Sequence, residues 1–385
     1  MSTGGQNVLG MNRDQLRAFV AALGERPYRG DQLFLWLYGR GVTSFDAMTD
    51  VARSFRERLA SVAALRGVSL LDTHVSSADG TTKFLFGLED GLKIESVLIP
   101  PATGFETDDP DEETETTPRR ERLTLCVSTQ VGCPLDCAFC ATGTMGYLRN
   151  LTPGEILDQV LAVRRSTGKT LTNVVFMGMG EPMLNYDAVM QAADILTEGI
   201  GIAARRITVS TAGWVDGIRR MGEEKRRMKL AVSLHSAVDE TRKALMPVAR
   251  RFPLSSLLAA VTSYYGRVKQ RITYEVVLFD GINDTPEEIR RLIRFARAVP
   301  SKLNVIPYHT VSFTHPDSPG APLRPSPRLQ EVVQQLREAH LTVMIRSSAG
   351  EDISAACGQL VVASAPGRPV RPPHRHTSKR HPSST

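Results

Sequence analysis

Cysteine is scarce in this chain, with five residues in 385. A chain this long can bury a core without disulfides, and so few cysteines could not build a disulfide scaffold. Tryptophan is scarcer still at two residues, and aromatics together make up 6%. No run of 18 apolar residues occurs, so no membrane span is expected. The opening MSTGGQNVLG has neither a basic stretch nor an apolar one, so no secretory signal is expected and the setting reads as cytoplasmic. Hydrophobic residues at 42% and charged residues at 23% are the balance of an ordinary globular protein. The length leaves room for one large domain and a smaller one.

The net charge is +6, unevenly spread. Residues 106–117 carry seven acids and no base, while 367–385 carry five Lys/Arg and no acid. Both segments are expected to be disordered. The basic remainder suits a polyanionic partner such as nucleic acid, or is simply a solvated surface.

Helical spacing in RDQLRAFVAAL, DQLFLWLYGR and DAMTDVARSFRERLASVAAL predicts a small Arg-rich helical accessory domain over 1–80. Residues 82–88 and 92–99 alternate as a hairpin around Glu-Asp-Gly, and with the acidic insert they fill 81–120. From 121 to 363 strand-like runs alternate with helical ones. The strands are predicted at 122–129, 173–180, 206–213, 229–236, 272–281, 302–309 and 341–348. Thr152 is a natural N-cap before Pro153. Repeated βα units imply a parallel sheet with right-handed crossovers, and about six of them predict an α/β fold built on a partial (βα)6 barrel. A basic tail, 364–385, completes the chain.

Three of the five cysteines, Cys133, Cys137 and Cys140, fall in CPLDCAFC just after the first of these strands. Three thiolates so close can hold an iron–sulfur cluster yet leave one of four irons open, since all-cysteine ligation needs four. A zinc site is the alternative, with His235 as the fourth ligand of a Cys3His set, because no second cysteine pair exists. Buried thiols without a metal are the other. In βα barrels the chemistry lies where strands end. Gly180 and Glu181 end the second strand, Ser210 the third, and Ser233, Leu234 and His235 the fourth, while Asn304 lies on the sixth. Each alone also reads as a turn, a cap or a core residue.

The cysteine spacing, with Phe139 before the third thiol, resembles the radical S-adenosylmethionine (SAM) superfamily. LCVSTQVGCPLDCAFC, RNLTPGEI, FMGMGEPMLN, TVSTAG, AVSLH, NVIP and EDISAACGQL together resemble the ribosomal RNA (adenine-C2) methyltransferase family, in family order. RPYRGDQLFLWLY resembles that family's accessory domain. The acidic insert and the basic tail are not family-typical.

The resemblance implies a [4Fe-4S] cluster on Cys133, Cys137 and Cys140, with SAM chelated at the open iron and two SAM consumed per turnover. It implies SAM contacts at Gly180, Glu181, Ser210, Ser233, Leu234, His235 and Asn304. It implies that Cys357 carries a methyl group, that Cys126 resolves a protein–RNA adduct by disulfide formation with Cys357, and that Glu95 accepts a proton. Without it, Cys126 reads equally as a packed core thiol and Glu95 as a solvent-facing strand residue. The implied product is 2-methyladenosine in 23S rRNA near the peptidyl-transferase centre, and in tRNA beside the anticodon. The rival products and roles are carbon-8 methylation of the same nucleotide and a non-enzymatic zinc-stabilised RNA-binding module. A flavodoxin- or ferredoxin-type electron donor and a monomeric state are expected. Arg149, Arg205, Arg206 and the N-terminal helices are candidates for RNA contact.

Overall fold

The computed structural model describes residues 5–101, 122–309, 323–346, 349–360 and 362. The acidic insert and the basic tail lie outside the described residues.

The N-terminal unit forms for local reasons. Asn12 caps the helix Arg13–Ala22 in a capping box with Gln15. The helix Tyr28–Phe34 runs on through a π turn, Leu35–Gly39, that buries Trp36, Leu37 and Tyr38. The Tyr38 hydroxyl accepts from Gly10 N at 2.9 Å and donates to Met11 O at 2.8 Å. That bond pins the entering chain against the crossover helix Pro153–Thr167. A Cβ on Gly10 would stand 2.3 Å from Gly154 N, so only glycine allows the approach. Gln191 Nε2 donates to Gly10 O at 2.6 Å and fastens the same turn to the next crossover helix. Helix Arg53–Val62 closes the unit.

Ten strands form one sheet. They are β1 (Ser69–Val75), β2 (Thr82–Gly87), β3 (Lys93–Ile99), β4 (Thr124–Cys126), β5 (Asn173–Phe176), β6 (Ile207–Thr211), β7 (Lys229–Ser233), β8 (Ile272–Val277), β9 (Ser301–Ile306) and β10 (Thr342–Ile345). Their order in the sheet is sequential from β1 to β10. Strands β4 to β10 pair in parallel, and each crossover carries a helix. This is the six-unit partial barrel. Strands β1 to β4 pair antiparallel and extend one edge.

Strand β1 lies within the span that helical periodicity assigns to the accessory domain. All seven of its residues are exposed, so it carries no buried face for a pattern to reveal.

Thr152 caps Pro153–Thr167 with Glu155 completing the box. Leu125, Val174, Val209, Leu230, Val232, Leu303 and Val305 are fully buried and alternate with residues of the opposite face. Each such side chain contributes roughly 1.5–3 kcal/mol. Register places Ser210 beside Ala231, Ser233 beside Glu275, Glu275 beside Asn304, and Asn304 beside Met344. One face of the sheet thus collects the polar side chains while the other packs on the helices.

Candidate active site

The CPLDCAFC loop begins where Gly132, at φ +74°, turns the chain. A Cβ there would overlap Gly146 O, whose oxygen also accepts from Cys133 N at 3.0 Å. Asp136 takes a left-handed φ of 48°, and Cys140 N donates to Cys137 O at 3.1 Å. The loop leans on the Asp239–Leu245 helix through Ala138 N to Leu245 O, 2.9 Å. All three thiols are half-buried. Burial pushes Cys133 up to about 12, Cys137 well above its ordinary value and Cys140 upward. A bound metal reverses this, because a coordinating thiol is deprotonated outright.

Among the described residues, no three His, Cys, Asp or Glu side chains converge on a point that one ion could occupy. Tetrahedral zinc needs such a point, whereas a four-iron cluster takes each thiolate on a separate iron. One nitrogen of His235 is already committed. Its Nδ1 accepts from Val277 N at 3.1 Å, and its ring packs 4.5 Å from that of Phe139. Burial, with Arg242 adding to it, pushes His235 down to about 3, so the imidazole is neutral. Phe139, His235, Phe279 and Tyr308 form a continuous aromatic wall beside the third cysteine. The donor set and its apolar surround fit the cluster.

In the loop four residues after β5, Gly180 adopts φ +100°. The close approach it permits is to Gln130, whose Cβ would lie 2.5 Å from an added methyl group. Gln130 Oε1 accepts from Glu181 N at 2.8 Å. Glu181 is buried, and its carboxylate accepts from Met183 N at 3.0 Å and Ala212 N at 2.7 Å. Burial still pushes it up to about 7. Ser210 and Ser233 are half-buried at the ends of β6 and β7. Leu234 and His235 donate their backbone N–H groups to Glu275 O.

Three residues not singled out by sequence complete this face. Arg242 is fully buried and donates to Ala212 O at 2.7 Å and Leu234 O at 3.3 Å. Glu275 accepts from Asn304 Nδ2 at 3.0 Å and lies 3.9 Å from Arg346. Arg346 Nη1 also reaches Met177 Sδ at 3.1 Å. Arg242 Nη1, Glu275 Oε2 and Asn304 Oδ1 are buried without a hydrogen-bond partner. Buried orphans of both signs on one face fit a zwitterionic ligand such as the methionyl end of SAM.

Cys357 is exposed, and its loop is stitched to the cysteine loop. Ala141 N donates to Gly358 O at 2.7 Å and Thr142 Oγ1 to Leu360 O at 2.7 Å. Cys357, Arg346, Ile99, Ile306 and Ala356 line one cleft. Cys126 is buried on β4, opposite Val97, which lies on the same strand face as Ile99. Burial pushes Cys126 up to about 12, with Cys357 adding to the rise and Arg346 opposing it. Glu95 shares that face but is buried rather than solvent-facing, with Lys83 Nζ 3.4 Å from its Oε1.

Arg149 is tied to two carboxylates while remaining partly exposed. Its guanidinium is bidentate to Glu155 at 2.8 and 2.9 Å and reaches Asp90 at 2.6 Å. Arg205 is exposed and Arg206 half-buried, both in the turn before β6.

Residues 6–65 match the ribosomal RNA large subunit methyltransferase N-terminal domain, and residues 127–296 match the radical SAM superfamily. A dual-specificity RNA methyltransferase RlmN from Anaeromyxobacter sp. (strain Fw109-5) is 44% identical over 93% of this chain and 91% of its own length. The RlmN of Syntrophobacter fumaroxidans is 43% identical over 90% of this chain and 95% of its own. A crystal structure of a radical SAM methyltransferase from Sphaerobacter thermophilus superposes with a TM-score of 0.79 at 40% identity, covering 92% of this chain and 99% of that one.

Proposed function

This chain belongs to the RlmN family of dual-specificity radical SAM RNA methyltransferases, and on that premise we propose that it methylates carbon 2 of adenosine in 23S rRNA and in tRNA. It is a SAM-dependent RNA methyltransferase that works with a [4Fe-4S] cluster and SAM. The bound cluster and SAM supply a carbon-centred radical. Cys133, Cys137 and Cys140 hold the cluster. Gly180, Glu181, Ser210, Ser233, Leu234, His235 and Asn304 surround SAM. Glu181 accepts from the methionyl ammonium, a charge-assisted bond.

Cys357 takes a methyl group from one SAM, losing its thiol proton. Carbon 2 of adenine is electron-poor, so the methyl-derived carbon on Cys357 joins it only after losing a hydrogen atom to the radical. Glu95 takes the ring proton. Cys126 then bonds to the Cys357 sulfur as the carbon–sulfur bond breaks, the freed carbon takes the proton that Cys126 gives up, and the one electron left over would pass to the oxidised cluster, leaving a disulfide and methylated RNA. The target base leaves its stack to reach this site.

The observation that carries the reading is the stitching of the Cys357 loop onto the cysteine loop, through Ala141 N to Gly358 O and Thr142 Oγ1 to Leu360 O. It supports a carrier role for Cys357, whose loop it joins to the residues just after Cys140. The rival isomer, 8-methyladenosine, shares both extra cysteines. An anaerobic assay with reductant, SAM and unmodified RNA, followed by digestion and mass spectrometry against both standards, separates them. Only 8-methyladenosine in the digest would overturn carbon 2. Zinc without acid-labile sulfide would favour the binding module.

The reading also includes a flavodoxin- or ferredoxin-type donor and a cytoplasmic monomer. Among the described residues no helix is long and apolar enough to cross a membrane. RNA docking on the N-terminal helices and on Arg205 and Arg206 would make binding salt-sensitive.

A further inference from the structure

We propose that Lys83 is a positioning residue, one that ties the proton acceptor Glu95 to the loop carrying Cys357. The inference rests on the roles assigned to those two residues above. Lys83 pairs with Val97 and Leu85 with Glu95 across β2 and β3, so Lys83 and Glu95 are diagonal neighbours on one face. The Lys83 ammonium lies 3.4 Å from Glu95 Oε1 and also donates to Ser354 O at 3.4 Å. Ser354 stands three residues before Cys357, in a left-handed turn at φ 52°. An ammonium has three donors on a flexible stem, so one lysine can serve both partners. The side chains are 14% and 7% exposed, so solvent screens the pair poorly.

The turn between β1 and β2 grips the same loop. Asp79 Oδ2 accepts from Gly350 N at 2.9 Å, and Asp352 Oδ2 accepts from Ser77 N at 3.2 Å. Thr81 packs so tightly on Gly350 that a Cβ there would meet its methyl group at 2.8 Å. The antiparallel edge is therefore a platform for the carrier loop, and Lys83 joins that loop to the acceptor. The platform turn and the stitches to the cysteine loop persist without Lys83, so the loop stays attached. What is lost is the fixed relation between carrier and acceptor, on which a productive geometry depends.

The test compares Lys83→Met and Lys83→Arg as reconstituted holoenzymes acting anaerobically on unmodified RNA. In Lys83→Met, iron and sulfide content should be unchanged and Cys357 methylation should fall less than about threefold. The ratio of 5′-deoxyadenosine to methylated RNA should rise about tenfold or more, with KM for RNA within about twofold. Amide hydrogen exchange across 350–357 should quicken. Lys83→Arg should restore both the ratio and the exchange. Normal coupling and exchange in Lys83→Met overturns the inference. So does an equal defect in Lys83→Arg, or a loss of Cys357 methylation in step with RNA methylation. Full RNA turnover by Glu95→Gln would instead remove Glu95 from its assigned role, and the exchange result would still judge the loop contact.

Discussion

Gly180→Ala separates two forces in the loop after β5. The residue stands at φ +100°, where a side chain stores about 1–3 kcal/mol of strain. The added methyl would also fall 2.5 Å from Gln130 Cβ and 2.9 Å from Gln130 N. Overpacking of that kind costs about 1–3 kcal/mol more. The sum is roughly 2–6 kcal/mol from these two sources. Gly168 provides the control. It caps Pro153–Thr167 at φ +66° with nothing within 4 Å of its absent Cβ, so Gly168→Ala should show only left-handed strain, about 1–2 kcal/mol. Scanning calorimetry of the two apo variants should give Tm losses of roughly 4–12 °C against roughly 2–4 °C. Gly180→Ala should also weaken SAM binding by equilibrium dialysis, because Gln130 holds Glu181 N through its Oε1 at 2.8 Å. Equal Tm losses for both variants, with SAM affinity unchanged in Gly180→Ala, would refute the account of this turn.

Cys140→Ala should leave the fold intact but remove the cluster's visible absorbance and all 5′-deoxyadenosine formation; retained absorbance would contradict its assigned role as a ligand. Cys126→Ala should still methylate Cys357 yet accumulate protein–RNA cross-links on denaturing gels, and normal turnover without cross-links would count against it. His235 gives a pH prediction in the apo protein. Its folded value of about 3 lies below its ordinary 6.5, so the unfolded chain takes up the proton first. Stability is full above pH 6.5 and falls as pH drops toward 3. His235→Asn should flatten urea stability over that window; an unchanged slope would show that His235 does not cause it.

Much of this architecture was legible because the parallel strands are buried on the helix side and read as apolar runs. The cysteine loop, the Thr152 cap and the strand-end Ser-Leu-His segment were legible for local reasons. Other features depend on register across distant strands. Glu275 and Glu95 look like ordinary strand glutamates until pairing sets them on the inner face beside Asn304 and Cys126. Arg149 read as a surface cation because its partners, Asp90 and Glu155, lie in separate elements. Arg242 and Arg346 belong to no short pattern. β1 escaped because an exposed edge strand needs no hydrophobic alternation.

The grip on residues 350–360 from both the β1–β2 turn and the cysteine loop bears on how the enzyme matures. During synthesis, Cys133, Cys137, Cys140 and the first six parallel strands emerge well before Cys357. A chain shortened ahead of residue 350 would keep the three-cysteine loop but lack Cys357, and Ala141 N would lose its acceptor at Gly358 O. On the role proposed for Cys357, docking of residues 350–360 is thus the step that turns a folded barrel into a working catalyst, and damage confined to those few residues should silence the protein without unfolding it.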